Sequence, residues 1–422
     1  LFPKLTPNVP DIGSIARAAV EAGADGISAI NAAGPEVFRE PLSGEPILYN
    51  PNGHKGGKSG EWIKRLAREK VAEIRRAIGP RAPIIGMGGV STGADARLLM
   101  EAGADLVGIG SAFARVLRQE DLPAYVRALK SDAALRMNTA SWFLESGRRM
   151  EYRRHRIAEL RILSYDLRLF VLEGSLPARA GEFAFLFLPG IGEKPFSVAR
   201  AEPLSFLVRL RGEFTRALFE RRAGDAVYVR GPYGAPAPES RLGAACLVAG
   251  GTGLAVVPEL ASELRRQGKR VELWYGVSRA EEAGALEELR EAMGDGVSCV
   301  CLPDEGRQGR ILEKLEERLR RGDAAQSCFY NIGPHPFLER ALELEERWGA
   351  SSSEVFACLE TLTMCGVGLC GGCECGGRLA CKEGAFVSLE FLRGAGIRLE
   401  ELEADRSATA STRAAGGFSL QK

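Results

Sequence analysis

The stretch AACLVAGGTGLAVVPELASELRRQ, residues 244–267, decides how the chain is read. Ala244–Ala249 is an apolar run of strand length. Gly250, Gly251 and Gly253 follow it, with Thr252 between them, and from Ala255 to Gln267 apolar residues recur at helical spacing. A strand that runs through glycines into a helix opening lets backbone N–H groups and the helix dipole meet a pyrophosphate. Taken alone, the pattern is a weak signal, because many βα turns are Gly-rich without a ligand. The residues beyond it decide the matter. Val271–Gly276, Ser298–Leu302 and Cys328–Ile332 read as strands, and Glu281–Met293 and Ile311–Arg321 as helices. Residues 239–350 therefore carry a doubly wound nucleotide-binding pattern, with Gly250, Gly251, Thr252 and Gly253 as candidate cofactor contacts.

Upstream the texture changes. Ile157–Leu163, Leu167–Leu172, Phe183–Leu188, Leu204–Leu210 and Ala226–Val229 are short apolar runs divided by turn signals, which predicts a small antiparallel β-barrel over 153–238. Lys194, Pro195, Phe196 and Ser197 close one of its strands, and Gly212 and Thr215 precede a short helix. A cation, a hydroxyl and a helix N-terminus in one groove suit a flavin and its diphosphate, although each taken separately is a common turn.

Downstream, Cys365, Cys370 and Cys373 have the C-x₄-C-x₂-C spacing of a plant-type [2Fe–2S] loop. Soft thiolates suit iron, and the intervening glycines let backbone amides turn toward the sulfurs. Cys381 is the natural fourth ligand, because Cys375 is too close to Cys373. A zinc ribbon is the alternative, but it prefers paired C-x₂-C knuckles and only one is present. This small [2Fe–2S] domain is expected over 351–395, followed by a tail over 396–422 with the composition of a disordered segment.

Residues 1–130 alternate strands and amphipathic helices. The helices are Ile12–Ala22, Trp62–Ile78 and Ala94–Ala102, and the strands Gly26–Ile30, Pro83–Met87 and Leu106–Ile109. The repeated EAGAD at 21–25 and 101–105 marks a helix end turning into the next strand, as in a (β/α)₈ barrel. Three Gly-rich loops are candidate phosphate sites: Ser59 and Gly60, Gly88 and Gly89, and Gly110 and Ser111. Lys4 and Asn31 end earlier strands and are expected in the same mouth. Residues 131–152, polar and Arg-rich, read as a linker or capping helix. The whole is α/β plus β: a partial (β/α)₈ barrel, an antiparallel flavin barrel, a doubly wound domain and a cluster domain.

Composition excludes other classes. The chain has 422 residues, with 56 Lys and Arg against 55 Asp and Glu, a net charge of +1 that argues against nucleic-acid or anionic-membrane partners. Hydrophobic residues at 45% and charged residues at 26% are ordinary for a globular protein. No stretch reads as a signal peptide or a membrane span, and five of the ten cysteines crowd into 365–381, a metal-site pattern rather than a secreted disulfide scaffold. A cytoplasmic location is expected. His54, His155 and His335 show no triad or zinc spacing.

The motifs EKPFSVA (193–199), GEFTRALFE (212–220), GDAVYVRGPYG (224–234), VAGGTGLAVVPEL (248–260) and MCGVGLCGGCECGGRLACKEGAFV (364–387) occur in an order that resembles the electron-transfer subunit of type B dihydroorotate dehydrogenase. Lys194 stands where the wider ferredoxin-reductase superfamily has Arg, which keeps the charge without the bidentate fork. PKLTPNVPDI (3–12), ADGISAINA (24–32), PIIGMGGVSTGADA (83–96) and ADLVGIGSAF (104–113) resemble the second half of the catalytic subunit of the same enzyme. The resemblance implies FAD at 194–197, 212 and 215, NAD at 250–253, and FMN on Lys4 and the three Gly-rich loops, with Asn31 helping to hold orotate. It implies a relay in which dihydroorotate reduces FMN, the cluster passes single electrons to FAD, and FAD reduces NAD⁺. It also implies a partner that completes the barrel, in a hetero- or homo-oligomer. The chain begins with Leu, and the first barrel strands, with the loop bearing the family's cysteine base, find no counterpart; the chain therefore reads as a fragment or processed product. Two alternatives stay open: a stand-alone NAD(P)H-dependent flavin and iron–sulfur reductase, and a cofactor-binding remnant without turnover.

Overall fold

The computed structural model describes residues 1–48, 50, 52–116, 121–144, 151–293, 297–303, 310–368 and 370–399. Of the expected tail only 396–399 falls within them. The chain forms two compact units, the first Leu1–Arg149 with Val367–Leu369 and the second Met150–Gly366 with Cys370–Lys422. Among the described residues, no helix is long and apolar enough to cross a membrane.

The first unit is built from βα repeats. In chain order they are β1 (Lys4–Leu5), α1 (Ile12–Glu21), β2 (Ile27–Ala29), β3 (Ala33–Val37), β4 (Lys55–Lys58), α2 (Lys64–Ile78), β5 (Ile84–Met87), α3 (Gly93–Glu101), β6 (Leu106–Gly108) and α4 (Leu122–Leu135). The strands β1-β2-β5-β6 form one parallel sheet, a half-barrel, in the order that consecutive βα units produce. Ile12, Ile27, Val71, Ile74 and Ile84 are fully buried between sheet and helices. Asp11 caps α1 by accepting from the Ser14 amide at 2.9 Å, and Thr92 with Asp95 forms a capping box on α3. The antiparallel hairpin β3–β4 is an addition to the expected elements, built from a Gly- and Lys-rich segment without apolar alternation. The expected linker is partly helical. α4 runs to Leu135, and buried Asp132 accepts from Thr139 Oγ1 and the Ala140 amide, both at 2.7 Å, which fixes the following 3-10 turn.

The second unit starts with β7 (Arg153–Ser164), β8 (Leu167–Leu172), β9 (Phe183–Leu188), β10 (Gly192–Ser197), β11 (Ser205–Arg209), α5 (Glu213–Phe219) and β12 (Ala226–Tyr233). These strands make one antiparallel sheet, β10-β9-β12-β7-β8-β11. The sequence places 194–197 at a strand end; the structure makes Gly192–Ser197 a strand in its own right. Pro195 is tolerated there because β10 ends the sheet order.

There follow β13 (Ala244–Gly250), α6 (Val257–Arg266), β14 (Arg270–Val277), α7 (Gly284–Met293), β15 (Ser298–Pro303), α8 (Arg310–Leu319), β16 (Ser327–Ile332), α9 (His335–Arg347), β17 (Val355–Cys358), β18 (Glu374–Cys375), β19 (Arg378–Leu379), α10 (Ala380–Glu383), β20 (Phe386–Ser388) and α11 (Leu389–Gly394). The second sheet has the order β15-β14-β13-β16-β17-β20, parallel throughout except for β20 against β17. The cysteine segment thus lies between two strands of the nucleotide sheet. One apolar core joins Leu167, Leu169 and Leu207 of the barrel to Leu247, Leu254 and Leu273 of the α/β part.

Candidate electron-transfer site

Strand order reverses at β13, which pairs with β14 on one side and β16 on the other. Crevices at such reversals are where open α/β sheets bind ligands. Gly250 ends β13, and Gly251–Ala255 forms a 3-10 turn ahead of α6. Gly253 is required by close approach: a Cβ there would lie 2.3 Å from the Ile332 carbonyl oxygen. Tyr275 Oη donates to the Gly251 carbonyl at 3.1 Å and steadies the turn, and Thr252 is half-buried beside it.

On β10, Lys194 is exposed while Pro195, Phe196 and Ser197 are half-buried. Phe196 lies 6.0 Å, centroid to centroid, from Phe214 of α5, which brings the 194–197 strand beside Gly212 and Thr215. The Thr215 hydroxyl is already engaged. It accepts from the Arg211 and Gly212 amides, both at 2.9 Å, and so caps its own helix.

In the cysteine segment, Cys373 and Cys381 are buried together, and the Cys381 amide donates to Cys373 Sγ at 3.5 Å. A hydrogen bond from the Cys381 side chain holds the Cys373 thiol well below the usual thiol range. Cys365 is half-buried and Cys370 exposed. Among the described residues, no three His, Cys, Asp or Glu side chains close into a metal-binding group; of the expected four, Cys373 and Cys381 are in hydrogen-bonding contact. The donor set still fits iron: thiols, one of them acidified, in a loop where Gly366, Gly368 and Gly371 have φ of 78°, 78° and 69°. Cys375 belongs elsewhere. It is buried in a separate core with Leu389 and Leu392, and burial pushes its thiol up.

The sequence reading misses Arg230 of β12, which is 2% exposed. It grips Glu193 with Nε and Nη2 at 2.7 and 2.8 Å, and donates to the carbonyls of Cys365 at 2.9 Å and Met364 at 3.2 Å. A charged residue inside the run AVYVRGPY is the signal that could have found it.

In the first unit the three Gly-rich loops converge. A Cβ on Gly89 would lie 2.4 Å from the Gly60 carbonyl oxygen, and one on Gly60 3.2 Å from Ser111 Oγ. Gly88 backs onto Ala67, while Gly110 faces open space and Ser59 is extended. Lys4 and Asn31 are exposed; Lys4 is in register with Ser28, and the Asn31 amide donates to the Leu5 carbonyl at 2.9 Å, so both lie along β1 and the end of β2.

A protein of Thermococcus kodakarensis named "probable dihydroorotate dehydrogenase B (NAD(+)), electron transfer subunit" is 31% identical over 243 residues, which are 58% of this chain and 99% of the relative. The chain belongs to this family. A Pyrococcus abyssi protein of the same name is 34% identical over 58% of this chain and 93% of its own length. Residues 1–118 match the family model for dihydroorotate dehydrogenase. Dihydroorotate dehydrogenase A (fumarate) of Lacticaseibacillus paracasei is 43% identical over 26% of the chain but only 36% of that relative. Among solved structures, the one described under NADH-dependent reduced ferredoxin-NADP oxidoreductase superposes with a TM-score of 0.51 at 22% identity, covering 59% of this chain and 91% of that one. It supports the fold of the electron transfer subunit alone.

Proposed function

We propose that this chain is the electron-transfer oxidoreductase of an NAD-dependent dihydroorotate dehydrogenase, serving pyrimidine biosynthesis in the cytoplasm. One observation carries the reading. A glycine turn at a sheet reversal, a cation-bearing strand β10 and a buried cysteine pair, of which Cys373 is acidified, all belong to the second unit.

Residues 153–238 form the FAD part, 239–350 the NAD part and 351–395 the cluster part. Lys194 supplies a positive charge for the FAD diphosphate, with Pro195, Phe196 and Ser197 lining the strand and Gly212 offering backbone at the start of α5. Thr215 holds that start in shape through its two accepted amides. Gly250, Gly251, Thr252 and Gly253 receive NAD at the crevice. Cys365, Cys370, Cys373 and Cys381 are the cluster ligands, and closing them into one site requires Cys365 and Cys370 to turn toward the buried pair. When bound, a flavin handles electrons in pairs and a [2Fe–2S] cluster singly, which suits a chain set between a hydride carrier and a one-electron path. In the first unit, the converging loops at Gly60, Gly88–Gly89 and Gly110–Ser111 offer backbone amides to the FMN phosphate, with Lys4 and Asn31 toward flavin and orotate. The rest of the catalytic barrel is supplied by further polypeptide, in a hetero- or homo-oligomer.

The test is cofactor content with dye reduction. The chain, reconstituted anaerobically, should hold FAD and reduce an artificial acceptor with NADH. Absence of bound FAD, or FAD that NADH does not reduce, would overturn the reading.

A further inference from the structure

We infer that the buried pair Arg230–Glu193 is a positioning device that ties the flavin strand to the loop of Cys365 and sets the charge felt at the metal centre. The inference rests on the cluster reading above. Register across three strands places Pro195, Phe185 and Arg230 side by side, so the guanidinium emerges two strands away from β10. Its plane lies on Phe185, with Cζ 3.7 Å from the ring centroid. One edge takes both oxygens of Glu193, the neighbour of Lys194. Another edge reaches the Tyr233 hydroxyl at 2.8 Å and the backbone carbonyls of Cys365 and Met364. Tyr152 donates to Glu193 and completes the clasp. A Cβ on Gly366 would meet Phe185, Arg230 and Tyr233 at 3.0, 3.1 and 3.2 Å, so the loop backbone rests directly on this platform.

Two consequences follow. The rigid, bidentate fork fixes Cys365 relative to the strand that holds FAD, a job Lys could not do. The clasp is also close to neutral, because Glu193 cancels the positive charge that would otherwise stand beside the loop. Net charge and hydrogen bonding near an iron–sulfur centre set its potential. An uncompensated cation favours the reduced cluster, and an uncompensated anion the oxidised one.

The experiment is a redox titration of the full chain, anaerobically reconstituted, read by EPR of the reduced cluster in wild type, Glu193→Gln, Arg230→Gln and the double variant. Glu193→Gln should raise the midpoint potential and Arg230→Gln should lower it, with the double variant near wild type. A purely structural clasp would change cluster content without this reversal of sign. The double variant keeps the test open if one single variant does not fold: it should then differ from the surviving single variant and match wild type. Potentials that do not move, or that move in the same direction in both single variants, would overturn the inference. Loss of the signal in wild type would instead count against the cluster reading itself.

Discussion

Cys373 and Cys375 are two positions apart, yet their thiols face different surroundings. The first is paired with Cys381 and acidified, while the second fills an apolar core and is held protonated by burial. Replacing Cys373 or Cys381 by Ser should therefore abolish the EPR signal of a [2Fe–2S] centre, and Cys375→Ala should leave it in place. Loss of the signal in the Cys375 variant would give that residue the fourth position. Glu345 offers a second test. It is fully buried beside Asn331, whose Nδ2 donates to it at 2.8 Å, while Glu345 Oε1 and Asn331 Oδ1 have no partner. Burial pushes this carboxyl well above the usual carboxylate range. The folded state thus keeps a proton that the unfolded chain gives up, and stability falls as pH rises above the ordinary Glu value. Each pH unit between the two pKa values costs about 1.4 kcal/mol. Glu345→Gln should be more stable than wild type at pH 8 and match it near pH 4, as thermal unfolding across pH would show. An unchanged difference at both pH values would mean that Glu345 is ionised in the fold. At this scale the sequence was uneven. The cysteine segment stood out because its spacing is local, whereas the Arg230 clasp did not, because its partners Glu193 and Cys365 lie 37 and 135 positions away.

Strands and turns were legible where burial is two-sided. β13 and β16 are buried along their whole length, β14 along most of its own, and their order follows from the alternation with helices. β10 hid because GEKPFS is polar, contains a proline and lies at the end of its sheet, where no alternation is imposed. The hairpin β3–β4 hid for a similar reason: neither AGPEV nor KGGK shows apolar alternation, and the side-chain tie between them is the ion pair of Lys58 with Glu36 at 3.0 Å. Two predictions belong to these elements. Gly253→Ala forces a Cβ against the Ile332 carbonyl, backbone that cannot yield. It should cost about 1–3 kcal/mol and abolish NADH-dependent dye reduction while bound FAD absorbance persists. Normal NADH kinetics in that variant would remove the turn from the NAD site. On β10, Lys194→Ala should weaken FAD retention about 10- to 100-fold, the value of one charge-assisted hydrogen bond, and Lys194→Arg should restore it. Equal FAD affinity in all three forms, measured by flavin fluorescence, would place the diphosphate elsewhere.

For the molecule as a whole, the second unit carries the residues proposed for an NADH-to-cluster path, while the first carries a half-barrel sheet with the Gly-rich loops proposed for phosphate. These 422 residues include no cysteine before Cys246, so no thiol base stands in the first unit. Loss of a general base alone slows a reaction by about 10²–10⁴. Dihydroorotate with NAD⁺ should therefore give no sustained orotate release from this polypeptide by itself, and turnover there would demand another base in the first unit, with Lys4, Lys58 and His54 as the candidates. The division into units was legible in the change from helical to strand periodicity near residue 153. The framing of the cysteine segment by β17 and β20 was not, because an antiparallel closing strand of three residues leaves no pattern in the sequence. On the proposed reading, electrons entering from NADH reach the thiolate-bound centre through the flavin of the second unit. An anaerobic stepwise titration of the reconstituted chain with NADH, followed by visible absorbance and EPR, tests it directly. Bleaching of FAD accompanied by the EPR signal of a reduced [2Fe–2S] cluster is expected; a flavin that bleaches while the cluster stays oxidised at full reduction, or a chain that assembles no cluster, would overturn that path.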